Sequence, residues 1–472
     1  MKIYKVFSMI IVASLLLAAC APAATQVVTE APTAVPTEVP PTTEPTKVPP
    51  TAVPTEVPTA APTEVPAFSC AEPIKIGLIT DVTGALAIYG VMILRSFMLG
   101  MEYATGASGS AGDVFDFSKT QQNNFMLGDC EIQVFVRDDA STPDTTATLA
   151  RELIDVEKVS ILVGTVSSAA TATLQGIALE NKIPLIVAPA AANDITGVNF
   201  NEYTFRTSRN NYQDAINECL YLNKEYETFV QIAPDYAFGR GSAASFRDAC
   251  GLGGGTFVAD DIFAPLDTTD FTPYMEQILN SGAESYIVTW AGAGFVPLMQ
   301  AATDLGVIES MALGATFIDN VLMPIWYGNA IGSTNGILYH YSAPQNPAND
   351  FLKAQDKARY GVMPDLFDAD GMNAAIMAIE AIKATDGDVN GDALVAVMEG
   401  MTFDGPKGTI NVRPEDHVAI QDMYILKLLN LTDPDANFYE YVETTRPEPP
   451  CLLPENLKDR CGDLPYGSLS GQ

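Results

Sequence analysis

Ile74-Lys75-Ile76-Gly77-Leu78-Ile79, running into Thr80-Asp81, is the stretch on which the fold turns. It is short, rich in β-branched residues and nearly continuous in apolar character, as expected of a strand covered on both faces. Gly84 and Gly90 follow, then a helical pattern from Val91 to Tyr103. The same alternation continues outward. Strands are expected at Ile132–Val136, Ile161–Gly164 and Leu185–Val187, separated by helices at Thr145–Glu157 and Ala169–Asn181. A second series begins with a helix at Tyr212–Tyr226 and a strand at Thr228–Ala233. It continues with a helix at Gly241–Ala249 and a strand-like run at Phe257–Phe263. A helix at Thr272–Ser281, a strand at Ser285–Trp290 and a helix at Phe295–Leu305 complete it. Strands and helices alternating at this spacing build βαβ units on a parallel sheet. Two series in succession imply an α/β protein with two Rossmann-like lobes. About 400 residues after position 69 also exceed one typical core.

Open parallel sheets bind ligands beyond the carboxyl ends of their strands. Those positions hold Tyr89, Ser167, Ser168, Pro189, Ala190, Ala191, Ala192, Tyr236, Phe238, Trp290 and Gly292. Hydroxyls, small residues and aromatics dominate, and nucleophile–base pairs are scarce. Ser167-Ser168 precedes a helix, where a hydroxyl and free backbone N–H groups can hold an anion such as a carboxylate. The same pair also reads as a plain N-cap.

The front of the chain points to export. Lys2 and Lys5 precede the apolar run Val6–Ala19, which is short for a membrane span. Leu17-Ala18-Ala19-Cys20 resembles the bacterial lipobox, which makes Cys20 the lipidation site of a 1–20 signal peptide. Residues 21–69 are built of Thr-Glu-Val-Pro-like units with few large apolar side chains, and form a disordered Pro/Thr-rich linker. At about 3.1 Å per residue such a linker reaches on the order of 100 Å. The chain has seven cysteines. Setting Cys20 aside leaves Cys70, Cys130, Cys219, Cys250, Cys451 and Cys461 as disulfide candidates; six cysteines allow 15 pairings. Closeness in sequence favours Cys70–Cys130, Cys219–Cys250 and Cys451–Cys461. The net charge of −33 argues against nucleic acid and anionic headgroups as partners, and is read as a solubility feature.

The order of segments resembles the leucine/isoleucine/valine-binding proteins. These are the branched-chain amino acid ABC transporter substrate-binding family, with the type I periplasmic-binding fold. The resemblance rests on Ile74–Gly77 through Thr83-Gly84 and Tyr89-Gly90, and on Arg137-Asp138-Asp139. It continues through Val163-Gly164 to Ser167-Ser168, and through Ile183–Ile186 to Pro189–Ala192. Tyr236–Gly241 and Phe403–Gly408 followed by His417 complete it. It implies three interlobe crossovers, near 203–208, 336–341 and 397–403. Lobe one would comprise 70–206 and 340–396, lobe two 207–339 and 397–446, with 447–472 a disulfide-stapled extension. It also implies that Ser168 and the backbone at Ala190 hold a ligand carboxylate, with Ala192 standing where the family usually has Thr. Tyr89 and Phe238 would pack on the ligand body, Phe238 replacing a usual Tyr. The acid of the second lobe that pairs with an α-ammonium falls near Thr316, with Asp319 close by. The implied function is an extracytoplasmic solute-binding lipoprotein, anchored to the bacterial cell membrane. It would be a monomer that takes a small carboxylate or amino-acid-like ligand to ABC permease subunits.

A second reading keeps the fold and makes it a ligand-sensing receptor module. An enzyme is not expected. A Ser-dependent hydrolase would need a base beside Ser167 or Ser168, and the chain has two histidines, His340 and His417. No cofactor and no metal are expected. Asp386–Gly391 starts like a calcium loop, but its twelfth position is Val397 rather than Glu, so it reads as a turn capping a helix.

Overall fold

The computed structural model describes residues 68–292, 294–315 and 319–471. Cys20, the signal segment, the linker through residue 67 and Thr316 lie outside the described residues.

The first sheet grows from β1 (Ile74–Thr80), whose side chains are buried at all but one position. Helix α1 (Ala87–Thr105) follows, then β2 (Gln122–Leu127), β3 (Cys130–Asp138) and α2 (Pro143–Glu152). Next come β4 (Ile161–Val163), α3 (Ser168–Asn181), β5 (Leu185–Val187) and β6 (Thr204–Arg206). The order is β2-β3-β1-β4-β5-β6. All pairings are parallel except β2 with β3, a hairpin turning at Gly128-Asp129. β2 gives no strand signal in the sequence, because Gln122-Asn123-Asn124 opens it with three polar residues and it lies at the sheet edge. β1 has β3 on one side and β4 on the other, so the order reverses there and a crevice opens at its carboxyl end.

The second sheet repeats the device. Helix α4 (Asn211–Glu225) starts with a capping box in which Asn210 and Gln213 satisfy each other's backbone N–H groups. Then come β7 (Thr228–Pro234), α5 (Ala237–Leu252), β8 (Thr256–Phe257), β9 (Ile262–Ala264) and α6 (Thr272–Ser281). β10 (Ser285–Val288), α7 (Phe295–Asp304), α8 (Val307–Ser310) and β11 (Ala312–Ala315) complete it. The order is β11-β10-β7-β8, with β9 also on β7, all parallel. The expected run 257–263 is split into β8 and β9. Asp260-Asp261 interrupts it, and the Asp261 carboxylate is held by Gln231 Nε2 at 2.6 Å and by Arg247.

After a short α9 (Met323–Trp326) and β12 (Thr334–Ile337), the chain returns to the first sheet as α10 (Pro347–Tyr360) and α11 (Asp368–Ala384). Helix α11 is buried along most of its length and packs along α1. The remainder comprises α12 (Gly391–Met398), the antiparallel set β13 (Thr402–Gly405), β14 (Gly408–Val412) and β15 (Ala419–Ile420), and β16 (Met423–Leu428) with β17 (Tyr439–Thr445). β16 joins β12 to β17. Asn390, in the calcium-like segment, caps α12 through its side chain. Disulfides link Cys70–Cys130, Cys219–Cys250 and Cys451–Cys461. Among the described residues no helix is long and apolar enough to cross a membrane.

Candidate functional site

The crevices of the two sheets face one another. In the first, the loop after β1 delivers Tyr89-Gly90 into the start of α1. In the second, the loop after β7 delivers Phe238-Gly239 into the start of α5. Each glycine is needed for close approach: a Cβ on Gly90 would collide with Asp81 O, and one on Gly239 with Pro234 O. The helix start therefore sits tight against the strand end, and the aromatic residue before the glycine is thrust into the gap between the sheets.

A pocket of about 30 Å³ lies there. At roughly 10–15 Å³ per water, this holds only about two water molecules. Asn193 Nδ2, on the first-sheet side, donates to Ser245 Oγ on α5 at 2.8 Å across the closure. The structure brings Tyr89, Ser168, Ala190, Ala191, Tyr236 and Phe238 together in the pocket wall. Leu86, Val166, Arg209, Ala291 and Phe367 join them, and none of these five was singled out from sequence.

The remaining candidates are placed behind or beside that wall. Ser167 is the N-cap of α3, its Oγ facing the Ala170 N–H at 3.5 Å. The Ala192 N–H donates to Ser168 Oγ at 3.2 Å. The Gly292 N–H reaches the Tyr89 hydroxyl at 3.4 Å, tying the second lobe to the first. Trp290 is buried edge-on against Phe271, with ring centroids 4.9 Å apart, and does not line the pocket. Asp319 is buried outside the wall, and its Oδ1 accepts from the N–H groups of Val321 and Leu322. Burial raises the Asp319 carboxyl above its ordinary range. Burial and the neighbouring Asp319 raise the Tyr89 phenol as well.

Two buried arginines shape the loop 189–192. Arg206 donates from Nη1 to Ala190 O and from Nη2 to Ala192 O, the latter at 2.8 Å. Arg209 donates from Nη1 to Pro189 O at 2.7 Å, and its Nε lies 3.3 Å from Asp214 Oδ1. The loop's carbonyls are thus turned back into cationic partners. Arg209 was missed because an arginine in a crossing segment reads as a surface residue until its burial is known; it is 1% exposed. Phe367 was missed because it precedes a helix that returns from far along the chain.

The two histidines serve the frame. His417 stacks on Phe205 at 4.0 Å. His340 is buried, with Nδ1 2.7 Å from Ser342 Oγ, and burial pushes its pKa down to about 4. Neither lines the pocket. Among the described residues no group of three acids, histidines or cysteines is arranged to hold a metal.

Comparisons with known proteins agree with this architecture. The family model described as periplasmic binding protein matches residues 73–432. Leu/Ile/Val-binding protein homolog 6 of Brucella melitensis is 26% identical over 377 residues, spanning 77% of this chain and 89% of the relative. The crystal structure of an ABC-type branched-chain amino acid transporter from Rhodopseudomonas palustris is 33% identical with a TM-score of 0.63. The match covers 79% of this chain and 96% of that one. A solute-binding protein of an ABC transporter from the same species, in complex with 3,4-dihydroxybenzoic acid, is 26% identical. Its TM-score is 0.66, over 79% of this chain and 97% of that one. The chain belongs to the periplasmic binding protein family and has its type I fold.

Proposed function

We propose that this chain is the lipid-anchored solute-binding component of an ABC importer. It captures a small carboxylate or amino-acid-like solute between its lobes and presents the closed form to the permease. The observation that carries this reading is the convergence of both sheets' switch-point loops on one closed pocket. Lobe one is proposed as 70–206 with 340–396, lobe two as 207–339 with 397–446, and 447–472 as a stapled extension. Hinge motion between the lobes admits the solute. Ser168 and the backbone at Ala190 supply hydrogen-bond donors for a carboxylate, while Tyr89 and Phe238 cover an apolar body. The relative holding 3,4-dihydroxybenzoic acid adds aromatic carboxylates to the amino acids as candidate solutes. Cys20 is proposed as the lipidated residue, residues 21–69 as a tether, and the protein as a monomer at the outer face of the cell membrane.

The test is a thermal-shift screen of the purified protein over amino acids, amides, ureas and aromatic carboxylates. A solute at 100 times its Kd stabilises the fold by about 2.7 kcal/mol. If none of these solutes raises the Tm, the reading fails. For the anchor, Cys20→Ala should move the protein from the membrane fraction to the medium; retention on the membrane would exclude Cys20 as its attachment.

A further inference from the structure

The extension after β17 touches both proposed lobes, at separate points. The first point is the loop between β5 and β6. A Cβ on Gly197 would stand 2.9 Å from Leu452 Cβ, so Leu452 lies directly on that glycine. Phe200 packs on Cys451, Leu453 and Cys461, and the Arg460 guanidinium lies 5.2 Å from the centroid of the Phe200 ring. The Cys451–Cys461 disulfide closes this cluster. The returning chain is fastened to it as well. The Cys451 N–H donates to Pro465 O at 2.7 Å, and the Gly467 N–H donates to Cys451 O at 3.0 Å.

The second point is on the other lobe. The Leu469 N–H donates to Asp248 Oδ2, on α5, at 2.6 Å. The Tyr212 hydroxyl, on α4, shares that carboxylate. The Leu469 side chain packs on the apolar cluster that includes Cys219, Phe246 and Cys250 and joins α4 to α5.

These two points stand on elements that part when the lobes open. The loop between β5 and β6 meets α5 through Asn193 and Ser245. Gly467 is fastened to Cys451 and Leu469 to α5, and the two are two residues apart. At full extension that stretch spans about 7 Å. A movement that carries α5 beyond this reach must release one of the two attachments.

We infer that the C-terminal extension is a strap between the lobes that restrains their opening, with the Leu469 contact on α5 as the latch. The inference rests on the proposed solute-binding function, in which the lobes open to admit solute, and it assigns the strap control over how often the ligand-free protein opens.

The test is a distance distribution from electron-spin dipolar coupling in the ligand-free protein, with labels at exposed Val156 on the first proposed lobe and Val258 on the second. A chain ending at Tyr466 keeps the disulfide and loses the latch, and it sheds no fully buried residue among those described. It should raise the ratio of long to short separations at least about tenfold over the full chain, the factor that one hydrogen bond to a charged group carries. Asp248→Ala in the full-length chain should do the same from the other side of the latch. Equal distributions in the full chain and both variants would overturn the inference, and a solute that still raises their Tm would leave the solute-binding function standing. Longer separations in Asp248→Ala but not in the shortened chain would also overturn it, because the tail would then not be what holds α5. If no solute in the wider screen binds, the function falls and the inference falls with it.

Discussion

Tyr89-Gly90 after β1 and Phe238-Gly239 after β7 are built alike, yet the lobes around them contribute different chemistry. The first lobe as proposed brings Ser168 and the 189–192 loop, where the carbonyls of Pro189, Ala190 and Ala192 accept from Arg209 and Arg206. The second lobe as proposed, 207–339 with 397–446, brings Arg209, Tyr236, Phe238 and Ala291, so the charged side chain of the wall stands with the aromatics. Polar side chains of the wall therefore come from both proposed lobes, Ser168 from the first and Arg209 from the second.

Each side of this comparison can be broken separately. The largest effect is expected from Arg206→Met. It removes charge-assisted hydrogen bonds to two loop carbonyls at a fully buried site. A loss of about 3–5 kcal/mol in urea unfolding should follow; a loss under 1 kcal/mol would show that the loop holds itself. Phe238→Ala should weaken ligands by about 10- to 30-fold through lost apolar burial, alike for a carboxylate and its neutral amide. A selective effect on the carboxylate would show that Phe238 also positions the polar partners of the wall. Ser168→Ala should weaken a carboxylate by about 3- to 10-fold. Ser168 Oγ also accepts from the Ala192 N–H, so about 1 kcal/mol of stability should go as well.

A separate effect concerns pH. Asp365 accepts from Asn320 N–H, near the end of the second sheet, and burial raises its pKa to about 8, with Asp319 and Asp368 adding repulsion. A raised carboxyl binds its proton more tightly in the folded chain. Its stabilisation is therefore complete below about pH 4 and is lost as pH rises through about 8. Asp365→Asn should flatten the decline in urea midpoint between pH 5 and 8.5; an unaltered slope would remove Asp365 as its source.

The strands and helices that carry the lobes were legible because their signals are local. β5 and α6 fall where the apolar pattern puts them, and β1 to within a residue. The aromatic residues before Gly90 and Gly239 were legible because they follow strand ends. The pairing Cys70–Cys130 was favoured by nearness and is present. Arg209 and Phe367 were not legible. One stands in a crossing segment after β6 and the other, 158 residues later in the chain (367 − 209), just before a helix.

By itself the sequence determined the alternating α/β plan, the strand-end loops and the residues able to line a cleft, since periodicity and turn chemistry act over a few residues. Tertiary structure alone decided which of them share a wall, and which carbonyls are occupied by buried arginines. Those properties depend on burial and on partners brought from distant parts of the chain, and no local pattern encodes them.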